Sequence, residues 1–141
     1  MTYQLKDGSL RTLARRKPYL TETISYDNGR TWTIPAESVI PNPEARVFVS
    51  VTPSGRVILI ANNSSETREK MTVYLSEDDG KTWKYSKCID ARNMTSYPDA
   101  DFFDNKIYLI YDCERTGAKE LLFAEFTEED VICDDHCITP R

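Results

Sequence analysis

A short phrase occurs twice in the sequence and constrains the fold more than any other feature. Residues 25–32 read SYDNGRTW and residues 76–83 read SEDDGKTW, and both fit the pattern Ser-x-Asp-x-Gly-x-Thr-Trp. The second copy begins 51 residues after the first, an interval typical of one unit in a repeat protein. The recurrence therefore predicts an architecture of similar units, each built around the same turn.

Each copy has the composition of a tight turn between two strands. The glycine supplies the positive φ that such a turn needs, and the aspartate accepts hydrogen bonds from nearby backbone N–H groups. The tryptophan is expected to open the next strand and to cover the turn with its ring. Because turn geometry explains every repeated residue type, we interpret these residues as structural. They are Ser25, Asp27, Gly29, Thr31, Trp32, Ser76, Asp78, Gly80, Thr82 and Trp83.

Length and charge exclude several classes of protein. The 141-residue chain has a formal charge of −5, with 18 basic and 23 acidic residues. It contains no block of five or more Lys and Arg, which argues against nucleic acid or an anionic membrane as a partner. No apolar run approaches the roughly 18 residues of a membrane span. Residues 1–10 lack the apolar core of a signal peptide. The localisation stays open, and the parent protein could be secreted or periplasmic.

The C-terminal residues contain the one candidate for a metal site. Cys133, His136 and Cys137 lie in the segment CDDHC. Their spacing matches no strong zinc pattern, and a fourth ligand would have to come from elsewhere in the chain. We therefore predict no metal and no cofactor, and we interpret residues 133–141 as a polar tail.

Strand signals and turn signals alternate along the chain. The predicted strands are 10–14, 21–25, 32–34, 46–52, 57–61, 71–76, 83–89, 100–103, 107–111 and 121–126. Short strands with turn residues every 8–12 positions are typical of all-β proteins. Helical periodicity is weak and confined to residues 125–131, which we interpret as the end of the last strand. The sequence therefore predicts an all-β fold.

The predicted strands form about three rounds of four within a single unit, residues 1–135. The rounds span 1–43, 44–92 and 93–132, and the first lacks most of its inner strand while the third lacks its fourth. A closed six-bladed β-propeller with roughly 50 residues per blade needs about twice this length. Because an open stack leaves sheet edges unpaired, we expect a partial six-bladed propeller that self-associates or is completed by a missing N-terminal half.

The repeated phrase resembles the Asp-box, or BNR repeat, of sialidases (neuraminidases) and related propellers. In the second half of a sialidase propeller, one arginine ends a strand before the first box and another lies in an Asn-rich segment between the boxes. A tyrosine then begins a strand after the second box. Arg15, Arg68 and Tyr97 match this order. Residues 104–131, DNKIYLIYDCERTGAKELLFAEFTEEDV, are especially similar to bacterial sialidase-like proteins, so the chain is identified as the C-terminal half of such a propeller.

The resemblance implies a glycoside hydrolase of the exo-α-sialidase type that acts on, or binds, a glycan with an acidic sugar. Guanidinium groups bind the sugar carboxylate bidentately. These enzymes use a tyrosine nucleophile, because a carboxylate nucleophile would be repelled by the substrate's own charge. Catalytic roles are therefore implied for Tyr97, Arg15 and Arg68. The residues expected to bind substrate on the same face are Arg46, Asp112 and Arg115.

Each candidate also has a purely structural alternative. Tyr97 could be a buried aromatic residue with its hydroxyl bonded to the backbone. The arginines could be solvated charges at strand ends. They could also pair with Glu44, Asp112 and Glu114 in exposed ion pairs, each of which contributes little.

Two departures from the sialidase pattern keep a second function open. Gln4 stands at the position that matches the sialidase glutamate, and an amide cannot take a proton from the tyrosine, although Glu22 or Glu44 could replace it in space. The first arginine and the aspartic general acid belong to the N-terminal half, so the chain alone is not expected to cleave a sialoside at a useful rate. The alternative is a non-catalytic Asp-box segment that serves carbohydrate binding or assembly.

Overall fold

The computed structural model describes residues 1–133 and 137–141, and within them the chain forms eleven β-strands and one short helix. The elements are β1 (Thr2–Gln4), β2 (Leu10–Ala14), β3 (Tyr19–Ser25), β4 (Ala36–Pro41), β5 (Phe48–Val51), β6 (Val57–Asn62), β7 (Glu69–Ser76), β8 (Tyr85–Asn93), β9 (Thr95–Phe103), β10 (Lys106–Cys113), β11 (Glu120–Phe126) and α1 (Glu128–Ile132). The strands make three antiparallel sheets, β1–β4, β5–β8 and β9–β11, each in chain order. The predicted all-β fold of about three blades is confirmed.

The three sheets stack through two apolar layers, with the β5–β8 sheet in the middle. Every residue of β6 is buried, as its nearly continuous apolar run requires for a strand covered on both faces. Val57 and Leu59 pack toward the β1–β4 sheet, whereas Ile58 and Ile60 pack toward the β9–β11 sheet. The alternation of neighbouring side chains along one strand thus joins both layers to the middle sheet.

The first Asp-box closes the hairpin between β3 and β4. Ser25 Oγ donates to Asp27 Oδ1 at 2.8 Å, and Gly29 N donates to Ser25 Oγ at 2.8 Å. Asp27 also accepts hydrogen bonds from the backbone N and the Oγ1 of Thr31, at 2.8 and 2.6 Å. The bonds from Thr31 and Ser25 hold the pKa of Asp27 at about 2, because they stabilise the ionised carboxylate.

The second Asp-box repeats this geometry between β7 and β8. Asp78 accepts from Ser76 Oγ at 2.8 Å, from Thr82 N at 2.8 Å and from Thr82 Oγ1 at 2.7 Å. The bonds from Thr82 and Ser76 hold the pKa of Asp78 at about 2 as well. Gly80 has a φ of 81° and its N–H donates to Ser76 Oγ at 2.8 Å. Both copies of the repeated phrase therefore form the same hydrogen-bonded turn.

The two tryptophans do not open strands, so this part of the prediction is wrong. β4 begins only at Ala36, and β8 begins at Tyr85. Trp32 instead turns back, and its Nε1 donates to the carbonyl oxygen of Gly29 at 3.1 Å. Trp83 packs edge-on against Tyr74, with ring centroids 6.3 Å apart. Each indole stays with its turn, and the predicted strand at 32–34 is absent.

A short helix was also missed at the end of the chain. Thr127 caps α1: its N donates to Asp130 Oδ2 at 2.7 Å, and its Oγ1 accepts from Asp130 N at 3.3 Å. This reciprocal pair of bonds is a capping box, for which the sequence Thr-x-x-Asp was a readable signal. Val131 is buried in the apolar layer beside the middle sheet. In the described part of the chain, no helix is long and apolar enough to cross a membrane.

Strand direction assigns every loop to one of two rims. One rim contains the end of β2 and the beginnings of β7 and β9, and we call it the upper rim. β3 and β7 end at the opposite rim, and both Asp-boxes lie there. We call it the Asp-box rim. Loops on the same rim can bring residues from different sheets together.

Replacing either box aspartate should lower the melting temperature, since an amide cannot accept all of the hydrogen bonds that Asp27 and Asp78 accept. Both folded-state pKa values lie below the ordinary 3.8. Each carboxylate therefore stabilises the fold above about pH 4, and this contribution is lost as the pH falls toward about 2. The difference in melting temperature between wild type and Asp78→Asn should narrow over that range when unfolding is followed by circular dichroism.

The exposed aspartate of the β9–β10 turn, Asp104, provides the control. Asp104→Asn should change the melting temperature little at any pH. A wild-type-to-Asp78→Asn difference that stays constant down to about pH 2 would contradict the proposed role of the ionised carboxylate.

The outer face of the β9–β11 sheet should drive self-association. Leu121 and Phe103 are 72 and 75% exposed there, and Phe123 stacks on Tyr108 with centroids 6.2 Å apart. An exposed apolar face of this kind favours contact with another surface. We expect sedimentation velocity to show concentration-dependent association that the double substitution Leu121→Glu, Phe123→Glu weakens.

Tyr26→Glu is the matched control, because Tyr26 is exposed but lies in the first Asp-box turn. A monomer at all concentrations would refute the prediction.

Candidate functional site

The predicted site residues all lie on the upper rim, away from the Asp-boxes. Arg15 directly follows β2, Arg46 precedes β5 by two residues and Arg68 directly precedes β7. Tyr97 is the third residue of β9, and Arg115 comes two residues after β10. The structure therefore brings together residues from all three sheets, although their functional roles stay predictions.

Tyr97 lies at the centre of this group. The guanidinium carbon of Arg115 lies 4.3 Å from the centroid of the Tyr97 ring, and that of Arg68 lies 5.5 Å from it. Hydrogen bonding by Arg115, and then by Arg15 and Arg68, lowers the pKa of the Tyr97 phenol from 10.0 to about 8. The cations stabilise the phenolate form. The site thus makes a weakly acidic side chain easier to ionise near neutral pH.

A β-bulge turns Tyr97 toward the rim. Ser96 pairs with Asp112 and Asp99 pairs with Ile110, so Tyr97 and Pro98 together face the single residue Tyr111. Tyr97 has a φ of 56°, in the left-handed region that a bulky residue rarely adopts. Bulges re-aim side chains next to functional sites, and strained backbone persists only where its surroundings hold it. The conformation of Tyr97 is therefore a built feature of the site.

Two carboxylates on the rim are already engaged by arginines. Asp99 Oδ2 lies 3.5 Å from Arg46 Nη2. Asp112 accepts a hydrogen bond from Ser96 Oγ at 2.6 Å, and its other oxygen lies 3.7 Å from Arg115 Nε. Ser96 and Asp99 were not among the predicted site residues. Their signal was their position beside Tyr97 on the same strand.

Arg15 and Arg68 differ from the other two arginines. Within residues 1–133 and 137–141, no carboxylate lies within ion-pair distance of either guanidinium group. An unneutralised guanidinium can form bidentate bonds with a carboxylate ligand. Arg15 and Arg68 are therefore the arginines beside Tyr97 that have no carboxylate partner in the described part of the chain.

Two depressions adjoin Tyr97. One, with a volume of 230 Å³, is lined by Tyr97, Arg15, Arg46 and the N-terminal Met1. The other, with a volume of 730 Å³, is lined by Arg68, Glu69, Ser96 and Arg115. We call them the inner cavity and the outer groove. Tyr97 itself lines the inner cavity, and its chain neighbour Ser96 lines the outer groove.

The predicted position of the missing base is wrong. Gln4 ends β1 at the Asp-box rim, pairs with Leu10, and its Nε2 donates to the carbonyl oxygen of Gly8 at 3.2 Å. Antiparallel pairing instead brings Met1 next to Leu13, close to Arg15. The motif order alone could not reveal this, because the rim on which a residue lies depends on strand register. Gln4 therefore has no contact with Tyr97.

The two suggested substitutes for the base differ. Glu22 lies in the middle of β3 and forms an ion pair with Arg11, so it is already engaged. Glu44 is exposed on the upper rim, in the loop before β5, with a φ of 62°. Of the two, only Glu44 lies on the rim that carries Tyr97.

The predicted absence of a metal site was based partly on His136, which lies outside the described residues. Among residues 1–133 and 137–141, no group of three or more His, Cys, Asp or Glu side chains is arranged to hold a metal. Cys133 and Cys137 are free and exposed.

The stacked sheets, the paired Asp-boxes and the opposite cationic rim define a segment of a β-propeller. The family model of the BNR repeat-like domain matches residues 1–108, and the chain belongs to this family. None of the curated proteins matches its sequence significantly. The predicted Asp-box family is confirmed.

Solved sialidase structures share the fold. The intramolecular trans-sialidase from Ruminococcus gnavus, in complex with oseltamivir carboxylate, matches 95% of the chain with a TM-score of 0.80 and 22% identity. The leech intramolecular trans-sialidase, in complex with 2,7-anhydro-Neu5Ac, matches 92% with a TM-score of 0.78 and 23% identity. A Hadza microbial sialidase matches 92% with a TM-score of 0.72 and 19% identity. The fold is therefore that of a partial sialidase-like propeller.

The chain spans only part of each of these proteins. It covers 33% of the Ruminococcus gnavus chain, 23% of the leech chain and 27% of the Hadza microbial chain. The likeness at this level of identity concerns the fold.

Proposed function

We propose that this chain provides the arginine- and tyrosine-bearing side of a sialidase-like glycoside hydrolase site, which acts on a glycan ending in an acidic sugar. The observation that carries the proposal is the position of the Tyr97 phenol among three guanidinium groups. Two of them, those of Arg15 and Arg68, have no carboxylate partner in the described part of the chain. The shared fold with sialidases supports this assignment.

The inner cavity suits the carboxylate of an acidic sugar. Arg15 and Arg46 line it together with Tyr97, so a carboxylate bound there places the adjacent anomeric carbon near the phenol. A carboxylate nucleophile would be repelled by this anionic substrate, whereas a phenol is neutral until it loses its proton. The cationic surroundings thus favour both the ligand and the nucleophile.

The lowered pKa makes Tyr97 a usable nucleophile. With a pKa of about 8, about a tenth of the phenol is ionised at pH 7, against about one part in a thousand for an ordinary tyrosine. The phenolate oxygen forms a bond to the anomeric carbon as the bond to the leaving oxygen breaks. The leaving oxygen takes a proton, which the resemblance assigns to an aspartic acid in the other half of the propeller. Water then hydrolyses the sugar–tyrosine bond.

Carbohydrate binding without catalysis is the second candidate. The groups that hold Tyr97 are guanidinium groups, which stabilise a phenolate but accept no proton. Binding of an anionic sugar needs only the arginines, so it does not depend on a base.

Anionic sugar binding should depend on the unpaired arginines. We expect N-acetylneuraminic acid to perturb the NMR signals of upper-rim residues, and Arg15→Gln to weaken binding roughly tenfold or more. Arg68→Gln should weaken binding less, because Arg68 lines the outer groove rather than the inner cavity. A hydrogen bond to a charged group contributes about 1.5–3 kcal/mol, and about 1.4 kcal/mol corresponds to tenfold. Raising the salt concentration should weaken binding as well.

Arg16 offers a matched control, because it is exposed and adjacent to Arg15. Arg16→Gln should leave the affinity almost unchanged. The methyl ester of the same sugar, which lacks the negative charge, should bind far more weakly. Equal binding of acid and ester, or equal losses in Arg15→Gln and Arg16→Gln, would refute the proposed anion site.

Turnover distinguishes the two candidate functions. The isolated chain should bind the sugar without rapid hydrolysis of a fluorogenic sialoside, because Asp99 and Asp112, the carboxylates near Tyr97, are already engaged by arginines. A missing general acid typically reduces the rate by roughly 10²–10⁴-fold. Hydrolysis that Tyr97→Phe abolishes while binding persists would show that the chain, or an assembly of copies, has a complete hydrolase site. Binding with no turnover in either protein would favour the binding module.

A further inference from the structure

We propose that Arg115 is a positioning residue for Tyr97 rather than a ligand of the substrate, and that Ser96 and Asp112 hold it in place. The inference rests on the proposed function only in taking Tyr97 as the reacting group. These four residues form a circuit of contacts. Ser96 donates a hydrogen bond to Asp112, and Asp112 forms an ion pair with Arg115. The guanidinium group of Arg115 lies over the ring of Tyr97, which follows Ser96 in the chain.

The turn between β10 and β11 presents Arg115 to Tyr97. Glu114 has a φ of 49°, and its carbonyl oxygen accepts hydrogen bonds from Gly117 N at 2.7 Å and from Lys119 N at 2.9 Å. Its own N–H donates to the carbonyl oxygen of Met94 at 3.2 Å, which ties the turn to the start of β9. The backbone beside Arg115 is therefore fixed relative to the strand that carries Tyr97.

Asp112 is oriented toward Arg115. Its Oδ1 accepts the hydrogen bond from Ser96 Oγ at 2.6 Å, which leaves Oδ2 facing Arg115 Nε at 3.7 Å. Ser96 is buried, and the Asp112 side chain is 21% exposed. A carboxylate held in this way attracts a guanidinium and would repel an anionic sugar. Asp112 thus serves the arginine better than it would serve the substrate.

The circuit separates two tasks among the cations. Arg15 and Arg46 line the inner cavity with Tyr97, whereas Arg68 and Arg115 line the outer groove. Of these last two, Arg115 is the one that is paired with a carboxylate in the described part of the chain. A substrate carboxylate in the inner cavity would partly neutralise the cations that face it. Arg115, whose guanidinium carbon lies 4.3 Å from the ring centroid and whose Nε lies 3.7 Å from Asp112, would keep its position beside Tyr97. It is also the largest cause of the lowered pKa of Tyr97.

The charged groups that face Tyr97 are few and come from every neighbouring element. The cations are Arg15 after β2, Arg46 before β5, Arg68 before β7, Arg115 after β10 and the N-terminal ammonium group of Met1. Among the described residues, the carboxylates paired with these cations are Asp99 and Asp112, and Glu69 also lines the outer groove with Arg68 and Arg115. Titration of Tyr97 therefore reports on this set of groups.

The test is a titration of the tyrosine ring carbons by NMR, with the Tyr97 signal assigned by its loss in Tyr97→Phe. Wild-type Tyr97 should titrate near a pKa of about 8. Arg115→Gln should raise this pKa by about one unit, which lowers the phenolate fraction at neutral pH roughly tenfold. Arg115→Lys, which keeps the charge but lacks the planar fork, should give a smaller rise.

Asp112→Asn separates positioning from simple charge. If Asp112 affected Tyr97 only through its negative charge, removing that charge would lower the pKa of Tyr97. If it holds Arg115 in place, Asp112→Asn should instead raise that pKa, and Ser96→Ala should do the same to a smaller extent. A fall in the pKa in Asp112→Asn would overturn the proposal.

Affinity for N-acetylneuraminic acid provides the second readout. Arg115→Gln should keep the affinity within about threefold, and Arg16→Gln should change neither the affinity nor the Tyr97 titration. Loss of affinity in Arg115→Gln with an unchanged Tyr97 pKa would make Arg115 a substrate ligand and overturn the inference. A wild-type chain that binds no sugar, yet shows the Arg115-dependent titration, would refute the proposed function alone.

Discussion

Antiparallel pairing in chain order is the constraint on which the rest of the structure depends. It sends successive connections alternately to the two rims, so the rim of each functional residue follows from the number of strands before it. Both Asp-boxes follow the third strand of a four-stranded sheet and therefore share a rim. Arg15, Arg68 and Tyr97 lie at strand ends of the opposite rim. The turn chemistry and the site chemistry are thus kept apart by connectivity alone.

Packing between the sheets makes the upper rim a defined surface rather than a set of separate loops. The second Asp-box is part of this packing, because the carbonyl oxygen of Asp79 accepts hydrogen bonds from Arg11 Nη1 at 3.1 Å and from Tyr3 Oη at 3.5 Å. Burial raises the pKa of Tyr3 to about 12, so this contact is made by a neutral phenol. A Cβ at Gly80 would collide with the same hydroxyl, which gives this glycine a second requirement besides its positive φ. The box therefore joins two blades as well as closing its own hairpin.

The repeated phrase was sufficient to predict most of the fold, because the role of its residues in the turn depends on local geometry, which can be inferred from residue type and spacing. The residues after each turn were less predictable. Trp32 donates a hydrogen bond to the carbonyl oxygen of Gly29, whereas its strand propensity had favoured a strand at that position. Motif order selected Arg15, Arg68 and Tyr97, which lie close together in the structure, while their roles stay predictions. The prediction for Gln4 was wrong because the order of motifs along the chain does not show how β1 and β2 pair, and this pairing determines the rim on which Gln4 lies. The bulge at Tyr97, and the ion pairs of Asp99 and Asp112, depend on contacts between strands and were beyond a sequence reading.

The charge balance of the rim explains why its cations are not all paired. Four guanidinium groups in one place repel each other, and two nearby carboxylates reduce that repulsion by engaging Arg46 and Arg115. If every arginine of the rim were paired with a carboxylate, no cation would remain for an anionic ligand. If none were paired, no ion pair would hold the guanidinium groups in place. Arg15 and Arg68 have no carboxylate partner in the described part of the chain, so they face the Tyr97 phenol without a competing ion pair. A phenol suits this environment, since as the neutral acid it adds no charge and as the phenolate it neutralises one cation.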